Sequence, residues 1–402
     1  MKSLYRRTLE PTGSRWLNLA ESYEGCEMVA ADVPQPLAPA RWDWQRVERV
    51  LVVRLRSIGD TVLATPSLHA LRRMLPHARI DVLLESWVAP VLAGFQEIDN
   101  IITVERGSTA SRARVARLLR ATRYDVAYNL HGGSTAALLM RASGARHRVG
   151  YFNYNYSRLH NHLAPSPLEL WGQERTHSVE QQLALLGWTG VPVSHRPRTR
   201  LMLTREAEQS VAARLLSIGL DHTKSFALLH PAAAFESKRW DVHNFARVAE
   251  DLRARGLSVV AIAASDESSL ADELVKNSSA HIDAFVDLSL PEVTALVARA
   301  RLFVGNDSGI AHIAAAVGTP SVIIFGSSNV AHWRPWATTA PSEVVREEMA
   351  CAPCPGYTCA EFDSPECIRR VPVERVTAAI ERVLKANHEH TIRTAYSNLP
   401  QS

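Results

Sequence analysis

The chain has 402 residues, enough for two domains with ordinary cores, and 46% hydrophobic with 21% charged residues excludes a disordered or fibrous protein. The 45 Lys and Arg against 41 Asp and Glu leave a net charge of +4, too small an excess to imply nucleic-acid binding, and none is expected. No apolar stretch follows Met1-Lys2-Ser3-Leu4-Tyr5-Arg6-Arg7, and no run of about 18 apolar residues occurs anywhere, so a cytoplasmic protein without a membrane span is expected. Four of the five cysteines crowd into Cys351 to Cys367, which suits a reducing compartment better than a disulfide-stapled fold; Cys26 stands apart.

Residues 1–46 lack clear periodicity and end in Pro34-Gln35-Pro36-Leu37-Ala38-Pro39, as an extension before the first domain would. From Val47 the chain alternates between buried strand and helix. Val50-Leu51-Val52-Val53 reads as a strand, about residues 60–75 as a helix ended by Pro76, and Ile80-Asp81-Val82-Leu83-Leu84 as the next strand. The pattern continues through Ile101-Ile102-Thr103-Val104, an arginine-rich helix over 108–123, a strand over 125–130 and a glycine turn at His131-Gly132-Gly133. Residues 151–167, aromatic and rich in Asn and His, read as a long loop. A helical run over 174–186 leads to Val191-Pro192-Val193-Ser194-His195-Arg196-Pro197, the expected interdomain linker.

The second half restarts the same alternation: helix 205–218, strand 226–230, helix 242–255 and strand 257–264. A βαβ unit then follows, with strand Arg301-Leu302-Phe303-Val304-Gly305, helical run 313–317, and strand Ser321-Val322-Ile323-Ile324-Phe325. The expected architecture is α/β, two doubly wound domains with parallel sheets facing a cleft: 47–195 and 196–385, the latter carrying the cysteine cluster at 351–367, with a tail at 386–402.

Chemistry-bearing residues fall at strand ends. Asn306-Asp307-Ser308-Gly309-Ile310-Ala311-His312 turns a strand into a helix and aims free N–H groups of the first turn at whatever sits above it, so a phosphate would bind there. Asp60, after Arg56-Ser57-Ile58-Gly59, suits both a helix N-cap and a general base on a cleft loop. Lys238 and Arg239 precede a helix N-terminus, unfavourable for the helix dipole unless an anion sits between, while Trp240 can pack beneath them. Asp266 and Glu267 end another strand, where nucleotide-binding folds hold a ribose hydroxyl or simply cap a helix. No G-x-G-x-x-G or P-loop pattern occurs, which argues against a dinucleotide oxidoreductase or P-loop kinase.

Cys351, Cys354, Cys359 and Cys367 make a tight C-x2-C-x4-C-x7-C cluster. A structural zinc or iron ion is one reading, free thiols or reversible disulfides the other, and a catalytic metal is not expected. Arginines 112, 114, 117, 120 and 123 cover much of one helix; a solvated face and a contact with an anionic membrane surface are both open.

Taken together, Val52-Val53-Arg54-Leu55-Arg56-Ser57-Ile58-Gly59-Asp60-Thr61-Val62-Leu63-Ala64-Thr65-Pro66, the Lys238-Arg239-Trp240 triplet, and Gly305-Asn306-Asp307-Ser308-Gly309 with His312 resemble glycosyltransferase family 9, the ADP-heptose:lipopolysaccharide heptosyltransferases. The resemblance covers residues 47–385 and implies a GT-B fold, the donor nucleotide sugar held by the second domain and the acceptor by the first. It implies an inverting transfer that requires no cofactor, with Asp60 as general base and Arg56, Ser57 and Gly59 as acceptor or loop residues. Lys238, Asp307, Ser308, Gly309 and His312 would serve the donor, and Glu267 its ribose. The implied partners are ADP-heptose and a glycolipid or saccharide acceptor, foremost the lipopolysaccharide inner core, at the inner face of the inner membrane. A protein or another glycan as acceptor, and a non-catalytic nucleotide-sugar or metal-binding scaffold, are the alternatives. The 46-residue extension is not part of the family's usual pattern, and the cysteine cluster occurs in only some of its members.

Overall fold

The computed structural model describes residues 33–336, 339–354 and 358–397. Cys26 and most of the expected extension, residues 1–32, lie outside the described residues.

The first lobe runs through β1 (Arg49–Val53), α1 (Ile58–Val62), α2 (Thr65–Met74), β2 (Arg79–Glu85), β3 (Asn100–Val104), α3 (Thr109–Thr122), β4 (Val126–Asn129), α4 (Ser134–Ser143), β5 (His147–Tyr151), β6 (His162–Ala164), α5 (Pro167–Trp171) and α6 (Ser178–Gly187). Its six strands are all parallel, in the order β3-β2-β1-β4-β5-β6. The continuous apolar runs seen in the sequence are what a parallel strand covered on both faces requires. Val50 and Val52 point into one core, Leu51 and Val53 into the core under α3 and α4, and all four are fully buried.

The second lobe repeats the plan with α7 (Arg205–Ser217), β7 (Phe226–His230), α8 (Val242–Ala254), β8 (Ser258–Ile262), α9 (Ser268–Asn277), β9 (Asp283–Phe285), α10 (Leu290–Arg299), β10 (Leu302–Asn306), α11 (Gly309–Val317), β11 (Ser321–Phe325), α12 (Val330–Trp333), β12 (Ser342–Arg346), α13 (Glu366–Arg369) and α14 (Val373–Ser397). Its parallel order, β12-β11-β10-β7-β8-β9, reproduces that of the first sheet strand for strand. The expected pair of doubly wound domains is therefore present.

Four details differ from the sequence reading. The helix expected over 60–75 is broken at Leu63 and Ala64, because Pro66 lacks an N–H and sits in the first turn of a new helix. The long loop at 151–167 contains edge strand β6 and a 3-10 turn, Ser157–Leu159. The segment after Pro34, read as extension, is built into the first lobe: Leu37 N donates to Gly187 O (3.0 Å) and Trp44 Nε1 to Thr189 O (3.0 Å). The expected tail from 386 continues helix α14 to Ser397. The linker after α6 is held down too, since Val191 and Val193 are fully buried and Val193 N donates to Gln35 O at 2.9 Å. No helix among the described residues is long and apolar enough to cross a membrane.

Candidate active site

In each sheet the winding direction reverses between two neighbouring strands, β1 and β4 in the first and β7 and β10 in the second. Loops leaving such a pair at the carboxyl ends diverge and open a crevice. The four loops after these strands line one cleft of about 1030 Å³, which Arg56, Ser57, Gly59, Asp60, Arg106 and His131 share with Phe235, Lys238, Asp307, Ser308, Gly309, His312 and Trp333. Residues distant in sequence and picked out by type thus converge.

Asp60 is not the helix cap. Ser57 occupies the N-cap of α1, and the Asp60 carboxylate reaches back to it, Oδ2 accepting from Ser57 N (3.3 Å) and Ser57 Oγ (3.2 Å). Its other oxygen, Oδ1, forms an ion pair with Arg54, itself buried and anchored by donation from Nη1 to Leu130 O at 2.5 Å. The carboxylate is therefore fixed in direction at the cleft wall. A charge so held is a preorganised proton acceptor.

Opposite it, Lys238 ends a short 3-10 turn, Glu236–Lys238, and its Nζ stands 2.8 Å from Asp307 Oδ2. Trp240 makes this placement possible. It is fully buried, donates from Nε1 to Val371 O (2.9 Å), and its backbone N–H donates to Asn306 Oδ1 (3.1 Å). Arg239 turns back to Ala233 O at 2.9 Å, so of the two cations only Lys238 reaches the cleft. Ser308 is the extended N-cap of α11, and it lines the cleft with Gly309 and Lys238, which brings the N-terminus of that helix to the cleft wall. An ammonium and a helix N-terminus side by side stabilise a bound diphosphate.

Two histidines complete this wall. Burial pushes His230 down to about 4, so it is neutral, with Nδ1 3.3 Å from Ser308 Oγ. His312 is also held below the usual range by burial, against the opposing pull of Asp307 and Asp60. Its Nδ1 is buried and without a hydrogen-bond partner among the described residues.

Glu267 is not brought to the cleft lining; it ends a 3-10 turn, Ser265–Glu267, between β8 and α9, where burial raises its carboxyl and Asp266 adds to the rise. The four clustered cysteines line one small cavity with Ser237 and Ser327. Cys354 also reaches the main cleft, and its N–H donates to Ser327 O at 2.9 Å. Among the described residues no three His, Cys, Asp or Glu side chains stand so as to hold one metal ion, so the sulfurs gather without closing a coordination set.

A side cavity of about 440 Å³ opens in the first lobe, sharing Arg56, Arg106 and His131 with the cleft and adding Glu85, Arg112, and the first turn of α4 at Gly133, Ser134 and Thr135. Sequence reasoning passed over Arg106, took Arg112 as part of a surface stripe, and saw only a turn at His131. Asn129 Oδ1 accepts from His131 N (3.1 Å) and Gly132 N (2.9 Å), and burial, then Arg54, pushes the His131 ring down to about 4. A glycine turn at a strand end next to an Asn was the signal available for it.

The model of glycosyltransferase family 9 (heptosyltransferase) matches residues 112–363, more than half of the chain. The chain is 28% identical over 358 residues to lipopolysaccharide heptosyltransferase 3 of Escherichia coli K12, covering 85% of this chain and 99% of the relative. Among solved structures it is similar to a glycosyl transferase of family 9 from Veillonella parvula (TM-score 0.72, 21% identity, 84% and 97% covered) and to E. coli ADP-heptose lps heptosyltransferase II (TM-score 0.70, 22% identity, 84% and 98% covered), which share its GT-B fold. With Asp60 on one wall of the cleft and Lys238, Asp307, Ser308 and Gly309 on the other, and the family match covering more than half of its length, the chain is a glycosyltransferase and belongs to glycosyltransferase family 9.

Proposed function

We propose that the chain transfers a heptose from ADP-heptose, with inversion, to a saccharide acceptor, foremost the lipopolysaccharide inner core, at the inner face of the inner membrane. The observation that carries this reading is the shared cleft, with Asp60 on one wall and Lys238, Asp307, Ser308 and Gly309 on the other. The names of the relatives, heptosyltransferases acting on lipopolysaccharide, support the donor and acceptor.

In this reading the acceptor lies in the side cavity of the first lobe and its hydroxyl points at Asp60. Asp60 takes the hydroxyl proton as the acceptor oxygen bonds to the anomeric carbon. The bond from that carbon to the diphosphate breaks, and its electron pair leaves with ADP. Lys238 and the first turn of α11 neutralise the departing diphosphate, the task a metal performs in other transferases, so no cofactor is required. Lys238 exchanges its Asp307 partner for phosphate oxygens, leaving Asp307 near the sugar. His312 fills the wall between them.

The cysteine cluster is peripheral to the transfer. Four sulfurs around one cavity are the donor types that hold zinc or iron, and a metal on Cys351, Cys354, Cys359 and Cys367 would brace the loop joined to Lys238 through Ser237 and Ser327, whose hydroxyls are 2.9 Å apart. Metal analysis and transfer assays of a Cys354→Ser variant test this: transfer at the parent rate is expected whether or not the parent carries metal, and transfer lost in the variant would contradict it.

Incubation with ADP-heptose, with and without a lipopolysaccharide core acceptor, tests the main reading. Heptosylated acceptor and ADP are expected. Free sugar released without acceptor would instead indicate a related sugar-nucleotide enzyme, and no turnover of any nucleotide sugar would indicate a scaffold. Modification of a protein or another glycan in place of the core would replace the acceptor assignment.

A further inference from the structure

The charge of this chain is segregated. Between residues 106 and 168 stand ten arginines and a single carboxylate, Asp125, while the rest of the chain carries more carboxylates than cations. Asp125 is engaged by the backbone N–H groups of Glu48 and Arg49, both at 2.9 Å. None of arginines 112, 114, 117, 120, 123, 141, 146, 148 and 158 joins an ion pair among the described residues, whereas the arginines of the second lobe repeatedly do, as in Arg214 with Asp287 and Arg382 with Glu343.

Helices α3 and α4 give this charge a direction. Val115 and Leu119 of α3 and Ala136, Leu139 and Met140 of α4 pack into one core on one face of the first sheet. Arg114, Arg117 and Leu118 on α3 and Leu138 and Arg141 on α4 are all exposed, on the solvent side of these two packed helices. Leu118 is 49% and Leu138 55% exposed, so apolar side chains sit among unpaired guanidinium groups. The surface begins at the side cavity, because Arg112 of α3 and Ser134 and Thr135 of α4 line that cavity.

We propose that the outer face of α3 and α4 docks on an anionic lipid bilayer, Arg114, Arg117 and Arg141 meeting headgroup phosphates and Leu118 and Leu138 entering the headgroup boundary. Unpaired arginines flanked by apolar side chains match a surface that offers anions above hydrocarbon. A nucleic acid offers anions but nothing for the leucines. Docking this way sets the side cavity at the bilayer surface, where the sugar of a lipid-anchored acceptor is presented. The docking face stands independently of the transfer reading, since it is measured with no donor or acceptor present.

The test is co-sedimentation of the full chain with phosphatidylcholine vesicles, with and without phosphatidylglycerol. Binding only to the anionic vesicles, weakening as salt rises, is expected. Each charge removed weakens it about five-fold, so R114Q/R117Q/R141Q should lose about a hundred-fold, and R114E/R117E/R141E, which reverses the three charges, more. R299E/R301E, on the second lobe, should bind as the parent does. All these variants should transfer to a soluble, deacylated acceptor at the parent rate. Equal binding to neutral vesicles, no binding to either, or parent-like binding by the glutamate variant overturns the proposal. So does binding to duplex DNA by a chain that ignores the anionic vesicles.

Discussion

Gly59 of the first lobe and His312 of the second meet across the floor of the cleft so closely that a β-carbon on Gly59 would stand 2.6 Å from His312 Cδ2. The reciprocal contact is as tight: a β-carbon on Gly309 would stand 2.7 Å from Ile58 Cβ. Helices α1 and α11 thus meet at their first turns, and Asp60 faces Asp307 and Lys238 across the cleft because two glycines let the backbones approach.

Gly59→Ala and Gly309→Ala should each force the lobes apart, costing about 1–3 kcal/mol by overpacking. Thermal unfolding should move down by several degrees, with kcat falling more than donor affinity changes. Parent-like melting and turnover in both variants would show that the contact does not set the geometry.

Lys238→Met removes the ammonium from the anion site and leaves the Asp307 carboxylate buried without its partner. ADP affinity should fall about 10- to 100-fold, the weight of a charge-assisted hydrogen bond to phosphate. Calorimetric titration with ADP checks this, and a dissociation constant unchanged from the parent would remove Lys238 from the donor site.

Stability should depend on pH through the buried histidines. Burial holds His131 and His230 near 4 and His177 near 3, below the ordinary value of about 6.5. Between about pH 6.5 and 4 the unfolded chain therefore binds more protons than the folded one, so these groups contribute stability above pH 6.5 that is lost on acidification through their folded values. Denaturant midpoints measured from pH 8 to 4 should be flat above 7 and fall steeply below 6.5. In His230→Gln the fall should be shallower.

Much of this was legible in the residues. Runs such as Val50 to Val53 and Val322 to Phe325 announced parallel strands, because a strand buried on both faces favours apolar side chains at successive positions. Asp307-Ser308-Gly309 announced a strand-to-helix turn. The short edge strands β6 and β9, three residues each, are too brief to show a period, and the break at Leu63 was visible only through Pro66. The side cavity was hidden for a different reason. Arg106, Arg112, His131 and Glu85 come from four separate elements, and only sheet order brings them to one place.

The central claim is that Asp60 takes the acceptor proton in transfer from a donor held by the opposite wall. Replacing Asp60 by Asn keeps the shape and removes the base, so turnover of ADP-heptose with a core acceptor should fall about 10²- to 10⁴-fold while ADP affinity stays within about two-fold of the parent. Turnover at the parent rate in Asp60→Asn would contradict the account.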